Sequence, residues 1–307
     1  MKTCLQTHEL TKIHKGVTIV DNVSITIKPG EIFGLVGPNG AGKTTLMKMI
    51  MNLVKPTHGD LDILGESVTP TSYKYLQNIG SIIETPRFME DLTVLQNMEI
   101  HAQYYGYNNT SRIMDVLGRV GMATHKNLPV NRCSLGMKQR IAIARAILCE
   151  PKLLILDEPI NGLDPAGMRE IRLVLKRLAH EEGMSILVSS HILAELEQII
   201  DAVAIMKNGT LIEQLTMNEI HARNLEYFVL ETPDVQKALV YLTTTLNINN
   251  CAIVGERHIR IYEMSLSYQE LFAKLAQGDF SVDGFEKEKK TLEDYFMSQT
   301  KRGSEDA

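Results

Sequence analysis

The sequence contains no tryptophan, no cysteine pair with metal-binding spacing and no excess of basic residues. Its 32 Lys and Arg residues against 37 Asp and Glu give a net charge of −5, so charge provides no case for a nucleic-acid-binding surface. Its four cysteines form no CxxC motif, and we expect reduced thiols in a cytosolic protein. Uncharged apolar runs stay short of the roughly 18–20 residues of a transmembrane helix, and the N-terminus lacks a signal peptide's apolar stretch. We therefore expect a chain that does not cross a membrane by itself.

One glycine-rich stretch is the most informative part of the sequence. It reads Gly37-Pro38-Asn39-Gly40-Ala41-Gly42-Lys43-Thr44-Thr45, which has the spacing of a P-loop. An apolar run at 32–36 predicts a buried strand before it, and residues 45–53 predict a helix after it. In such a loop the backbone N–H groups and the helix N-terminus bind phosphate oxygens. Lys43 would contact the β- and γ-phosphates, and the Thr44 hydroxyl would ligate Mg²⁺.

A second element lies where an apolar strand ends in two acidic residues. The run at 153–156 is followed by Asp157 and Glu158. A strand of this kind places both carboxylates at the edge of the sheet that carries the P-loop. Asp157 would hold Mg²⁺ through its water shell, and Glu158 would orient and polarise the attacking water. Together the two elements predict hydrolysis of the bound nucleotide.

The remaining pattern predicts the organisation of the chain. Strands that alternate with helices around a P-loop indicate a mainly parallel sheet with helices on both faces. A helical insert spans about 86–150, with Ser134 as a helix N-cap, and Asp164 caps a later helix. A boundary falls near residue 215. Beyond it, residues 216–307 predict a small α+β domain compatible with a ferredoxin-like split βαβ arrangement.

Three further elements give the sequence a resemblance to a known family. They are Cys133-Ser134-Leu135-Gly136-Met137, Asn161-Gly162-Leu163-Asp164 and His191. In their order after the P-loop and the acidic strand end, they resemble the signature, the D-loop and the switch histidine of ABC transporter ATP-binding subunits. The resemblance covers about residues 3–215. His14 falls where the family stacks an aromatic ring on adenine, and Glu84 where it carries the Q-loop glutamine.

The resemblance implies a mechanism that needs two copies of the subunit. Such subunits pair head to tail, so that ATP lies between the P-loop of one and the signature of the other. It implies that Ser134, Leu135 and Gly136 approach the nucleotide of the second copy, with Asp164 beside them. His191 would hydrogen-bond the γ-phosphate and help to hold Glu158 and the water in line. The implied fold is an α/β P-loop NTPase core with a helical subdomain and a small C-terminal domain.

Several strings narrow the resemblance to one branch of the family. The resemblance to the bacitracin-resistance and lantibiotic-immunity exporters is carried by four segments, at residues 80–86, 134–140, 189–197 and 291–296. In that branch the ATPase is a separate polypeptide that serves a separately encoded membrane permease. The resemblance therefore implies export of a peptide antibiotic and a location at the cytoplasmic face of the cell membrane, through the permease.

Some positions depart from the family pattern. Leu135 replaces the first signature glycine, and Met137 replaces the signature glutamine. Glu84 replaces a glutamine; its carboxylate can ligate Mg²⁺ but cannot donate a hydrogen bond to the attacking water. His14 would stack less strongly on adenine than a tyrosine would.

Two alternatives remain open at this point. One is an ABC ATPase of another exporter or of an importer. The other is an ABC ATPase that acts on DNA or ribosomes. The single P-loop and the negative net charge of −5 disfavour the second alternative.

Overall fold

The structure is a computed structural model that describes residues 3–69, 71–106, 110–222, 226–263 and 266–289. It divides after Met217 into two compact units. The string at 291–296 that contributes to the resemblance lies outside the described residues.

The first unit is built on one mixed sheet. Its strands are β1 (Leu5–His14), β2 (Val17–Val23), β3 (Thr26–Ile27), β4 (Ile32–Val36), β5 (His58–Ile63), β6 (Glu66–Val68), β7 (Ile79–Ile82), β8 (Leu153–Leu156), β9 (Ser185–Ser190), β10 (Ala202–Lys207) and β11 (Thr210–Thr216). The order is β6-β5-β1-β2-β11-β10-β4-β9-β8-β7, and β3 pairs with β1. Only β10, β4, β9, β8 and β7 form a continuous parallel set.

The five parallel strands correspond to the parallel sheet that the sequence predicts, and the other strands extend this sheet. Every residue of β4, β8 and β9 is buried, as expected for strands covered on both faces. The strands β1, β2, β3, β5 and β6 pair antiparallel among themselves. The pairs β1–β2 and β5–β6 are consecutive along the chain and need only hairpin connections, whereas β1 pairs with β5 across the segment that contains β4 and the glycine-rich loop. The expectation of a mainly parallel sheet therefore applies to the half that carries the P-loop.

Several helices of the first unit begin at residues whose side chains cap them. The helices of this unit are α1 (Lys43–Ile50), α2 (Val94–Tyr104), α3 (Thr110–Arg119), α4 (Leu135–Ala146), α5 (Pro165–Lys176) and α6 (Leu193–Leu196), and α7 (Met217–Ala222) begins at the residue where the unit ends. Ser134 and Asp164 accept hydrogen bonds from Met137 N and Gly167 N, as N-caps do. The helices α2, α3 and α4 form the predicted insert between β7 and β8. The helix α1 begins two residues before the predicted Thr45, because Lys43 and Thr44 already have helical backbone.

The second unit has the β-α-β-β-α-β order of a ferredoxin-like fold. Its elements are β12 (Glu226–Glu231), α8 (Val235–Val240), β13 (Cys251–Val254), β14 (His258–Ile261), α9 (Tyr268–Leu275) and β15 (Gly284–Lys289). The sheet order is β13-β14-β12-β15, antiparallel throughout. Phe228, Ile259 and Leu271 are fully buried in its own core.

Candidate functional site

The glycine loop connects β4 to α1 and requires glycine at two positions. A Cβ on Gly37 would lie 2.3 Å from the Met206 carbonyl oxygen. Gly42 has φ +96°, and a Cβ there would lie 2.8 Å from the Ile19 carbonyl oxygen. Gly42 is also the N-cap of α1, and its lack of a side chain leaves the first N–H groups of that helix without a side-chain cap. The backbone therefore forms a cradle in which the start of α1 offers uncapped N–H groups to an anion.

Lys43 is a buried cation at the centre of this cradle. Its side chain is 5% exposed, and its Nζ donates to the carbonyl oxygens of Gly37 at 2.7 Å and Pro38 at 3.1 Å. Burial lowers the pKa of Lys43, and the charges of Glu158 and Asp157 act in the opposite direction. The Nζ lies 3.9 Å from Glu158 Oε1. One positive charge thus faces two carboxylates across the loop.

Thr44 and Asp157 form the pair of oxygen groups that was predicted to hold Mg²⁺. The Thr44 hydroxyl donates to Asp157 Oδ2 at 2.7 Å, which joins the start of α1 to the end of β8. A hydroxyl and a carboxylate are the hard oxygen ligands that Mg²⁺ prefers, and Mg²⁺ sites of this type complete their shell with phosphates and water. Within the described residues, no group of three His, Cys, Asp or Glu side chains is placed to hold a metal. The pair therefore fits Mg²⁺ bound together with a nucleotide.

Glu158 is held by contacts to its backbone and to its carboxylate. Its φ of +48° lies in the left-handed region, which a non-glycine residue adopts at a cost. Its N–H donates to Ser189 Oγ at 2.9 Å. Its Oε2 accepts from Asn161 Nδ2 at 3.0 Å and lies 3.1 Å from His191 Nδ1. The structure thus brings the predicted base and the predicted switch histidine into direct contact.

The signature residues lie at the start of α4 and contact residues of α4 and α5. Ser134 Oγ accepts from Met137 N at 3.2 Å, so the hydroxyl caps its own helix. Leu135 is 49% exposed. A Cβ on Gly136 would lie 3.6 Å from Gly167 Cα, so α4 and α5 approach closely there. Among the hydrogen bonds of the described residues, none joins Ser134, Leu135 or Gly136 to the glycine loop.

Of the other predicted residues, Asp164 and Glu84 accept hydrogen bonds, and His14 is exposed. Asp164 Oδ1 accepts from Gly167 N at 3.0 Å, as the cap of α5. Glu84 is 68% exposed and accepts from Lys48 Nζ at 2.7 Å, and this hydrogen bond lowers the pKa of the Glu84 carboxyl. His14 is an exposed residue at the end of β1. Their proposed roles in nucleotide and metal binding remain predictions.

Ser189 is the site residue that the motif analysis did not select. Its hydroxyl donates to Asp157 Oδ1 at 2.6 Å and accepts from the Glu158 N–H. It is the first of the two serines that follow the apolar residues 186–188 at the end of β9. A serine near the end of a buried strand could have been selected from the sequence, because buried polar groups need hydrogen-bond partners and the neighbouring strand ends in two carboxylates.

Comparison with known protein families identifies the fold. The family model described as "ABC transporter" matches residues 20–161. The chain is similar to the uncharacterized ABC transporter ATP-binding protein YcbN of Bacillus subtilis (strain 168), at 47% identity over 97% of both chains. It is 40% identical to the bacitracin transport ATP-binding protein BcrA of Enterococcus faecalis over 96% of both chains. It is 41% identical to the lantibiotic transport ATP-binding protein SrtF of Streptococcus pyogenes, over 68% of this chain and 89% of that one.

A solved structure shows a similar cassette as a dimer. The bacterial ABC transporter cassette MJ0796, in a dimeric structure, superposes with a TM-score of 0.62 at 26% identity. The match covers 69% of this chain and 98% of MJ0796.

Proposed function

Because the chain belongs to the ATP-binding proteins of ABC transporters, and is therefore an ATPase subunit, we propose that it powers export of a peptide antibiotic through a separate membrane permease. The ATP-hydrolysing part of this proposal rests on one observation, the cluster of paired side chains formed by Lys43, Thr44, Asp157, Glu158 and His191. The similarity to BcrA along 96% of both chains supports bacitracin or a related peptide as the substrate. These relatives are transport proteins, which favours transport over action on DNA or ribosomes.

The chain's own residues would bind the triphosphate first. The N–H groups at the start of α1, which no side chain caps, would donate to phosphate oxygens. The Lys43 ammonium would exchange its bonds to Gly37 O and Pro38 O for bonds to the β- and γ-phosphates. Thr44 and Asp157 would hold Mg²⁺, which neutralises charge on the phosphates when bound.

Glu158 would then position the attacking water. Its Oε2 is engaged by Asn161 and His191, whereas its Oε1 faces Lys43 and the loop. The carboxylate would accept the water's proton as the water oxygen bonds to the γ-phosphorus and the bond from that phosphorus to the β-phosphate oxygen breaks, which releases ADP and phosphate. If His191 donates to Glu158 through Nδ1 and to the γ-phosphate through Nε2, both ring nitrogens must carry protons.

A second copy would complete the site. The N-terminus of α4, with Ser134 and Gly136, has no hydrogen bond to the loop of its own chain among the described residues. A helix N-terminus attracts phosphate. We propose that this end of α4 contacts the γ-phosphate bound by a partner copy, as the dimeric state of the MJ0796 cassette allows.

A groove in the first unit would receive the permease. It lies where α2 and α4 meet the core and has a volume of about 1060 Å³. Its lining includes Met51, Leu53, Tyr73, Ile83, His101, Tyr105 and Arg145. Burial lowers the pKa of His101 to about 4, and the Arg145 charge contributes, so this histidine is neutral at physiological pH.

None of the helices in the described part of the chain has the length and apolar content of a membrane span. We therefore propose that membrane association is through the permease, whose cytoplasmic helix would occupy this groove.

Replacing Leu53 with glutamate is expected to weaken permease binding at least about tenfold, because a charge would be buried against an apolar partner surface. Leu53 is 63% exposed within the groove, whereas Leu173 is 55% exposed on α5 outside it, so Leu173→Glu is the matched control. The measurement is co-purification of the permease, with ADP binding as the check on folding. Retention of the permease by Leu53→Glu at the control level would place its binding surface elsewhere.

The substrate is tested by deleting the gene and profiling sensitivity to bacitracin and to a panel of lantibiotics. We expect the deletion to increase sensitivity to at least one of these peptides. Complementation with the wild type should restore resistance, whereas Glu158→Gln should not, because hydrolysis is required. Unchanged sensitivity to every peptide would overturn the proposed substrate class but not the ATPase assignment.

A further inference from the structure

Ser189 bridges the two carboxylates of the site. The side chain is fully buried, at 0% exposure, near the end of β9. Leu156 of β8 pairs with Val188 of β9, so the next residues, Asp157 and Ser189, come side by side. The hydroxyl donates to Asp157 Oδ1 at 2.6 Å and accepts from the Glu158 N–H at 2.9 Å. One hydroxyl therefore contacts both acidic residues.

Each bond fixes a different part of the site. The bond to Oδ1 orients the Asp157 carboxylate so that Oδ2 receives the Thr44 hydroxyl at 2.7 Å. The bond from the Glu158 N–H helps to hold that residue at φ +48°, where the side chain reaches His191 and Asn161. If the hydroxyl were absent, Asp157 could rotate about its side-chain bonds and the Glu158 N–H would lose its acceptor.

We propose that Ser189 is a positioning residue for the ATPase reaction: it aims Asp157 at Mg²⁺ and fixes the backbone from which Glu158 acts. This inference rests on the roles proposed above for Asp157 and Glu158. Ser189 would touch neither the nucleotide nor the attacking water, and would act through the two carboxylates. Outer-shell partners of this kind typically change metal affinity or activity by about 10–100-fold when removed.

The same strand provides a matched control. Ser185 begins β9 and is 2% exposed. Its hydroxyl accepts from Gly30 N at 3.0 Å and donates to Lys28 O at 3.3 Å, at the opposite end of the strand from the carboxylates. The substitutions Ser185→Ala and Ser189→Ala thus each remove a buried, hydrogen-bonded hydroxyl from the same strand. Only Ser189 bonds to the two acidic residues, whereas Ser185 bonds to the backbone of Lys28 and Gly30.

The test uses the full chain and two measurements. ADP binding is titrated without Mg²⁺ and with increasing Mg²⁺, and kcat for ATP hydrolysis is measured at saturating ATP. For Ser189→Ala we expect ADP affinity without Mg²⁺ to be unchanged, because Lys43 and the loop amides are intact. We expect the Mg²⁺ concentration that half-maximally enhances ADP binding to rise, and kcat to fall, each by about 10–100-fold. Ser185→Ala should match the wild type in both.

Several outcomes decide the proposal. Equal Mg²⁺ midpoints and equal kcat values for the two alanine variants would overturn it. If Ser189→Ala does not fold, as judged by loss of Mg²⁺-free ADP binding, Ser189→Cys replaces it, because a thiol fills the same site and is a weaker donor. A cysteine variant with shifted Mg²⁺ dependence supports the proposal, and one that matches Ser185→Ala overturns it. A wild type without hydrolysis would count against the proposed function, while the Mg²⁺ dependence of ADP binding would still test Ser189.

Discussion

Replacing Glu158 with glutamine is expected to lower kcat for ATP hydrolysis by about 10²–10⁴-fold, the usual contribution of a general base. The amide keeps the size of the side chain and still accepts from Asn161, which donates to Oε2 at 3.0 Å in the wild type. It cannot accept the proton of the attacking water at neutral pH. Nucleotide binding should persist, because Lys43 and the loop N–H groups are unchanged.

The same variant should accumulate the nucleotide-bound dimer. With hydrolysis blocked, the γ-phosphate would stay between the loop of one copy and α4 of the other. Size-exclusion chromatography with and without ATP measures this, and phosphate release measures turnover. Glu181→Gln, at an exposed position outside the site, is the control and should behave as the wild type. Undiminished phosphate release from Glu158→Gln would exclude Glu158 as the base.

The site elements that the sequence predicted are those fixed by spacing along the chain. The P-loop spacing places Lys43 and Thr44 at the start of α1, and an apolar strand ending in two acidic residues places Asp157 at the same edge. Parallel strands align their carboxyl ends, so local patterns 113 residues apart, at Thr44 and Asp157, were enough to predict a shared site. The family resemblance was confirmed by relatives that match along nearly the whole chain.

Other features depend on tertiary contacts that no local pattern encodes. The bridge from Ser189 to both carboxylates depends on the register of β8 against β9. The pairing of Glu84 with Lys48 depends on how β7 and α1 pack. In the second unit, β15 was not predicted because it reads Gly-Phe-Glu-Lys-Glu-Lys, a charged run. Such a run suits the edge of a sheet, where charges protect against unwanted strand pairing.

Replacing Lys43 with alanine is expected to weaken ADP and ATP binding by at least about 100-fold, which corresponds to roughly 3 kcal/mol. A hydrogen bond to a charged group contributes about 1.5–3 kcal/mol, and the ammonium is expected to contact two phosphates. The substitution also removes the positive charge that lies 3.9 Å from Glu158 Oε1. The remaining carboxylates of Glu158 and Asp157 would then repel the phosphates, which reinforces the loss.

Isothermal titration calorimetry with ADP and Mg²⁺ measures the effect of Lys43→Ala, and thermal unfolding provides a second readout. A ligand that binds only the native state raises the melting temperature, so the increase produced by ADP should disappear in this variant. Lys176→Ala removes an exposed lysine near the end of α5 and should retain the full increase. Wild-type ADP affinity in Lys43→Ala would contradict the assignment, because the loop N–H groups alone would then account for phosphate binding.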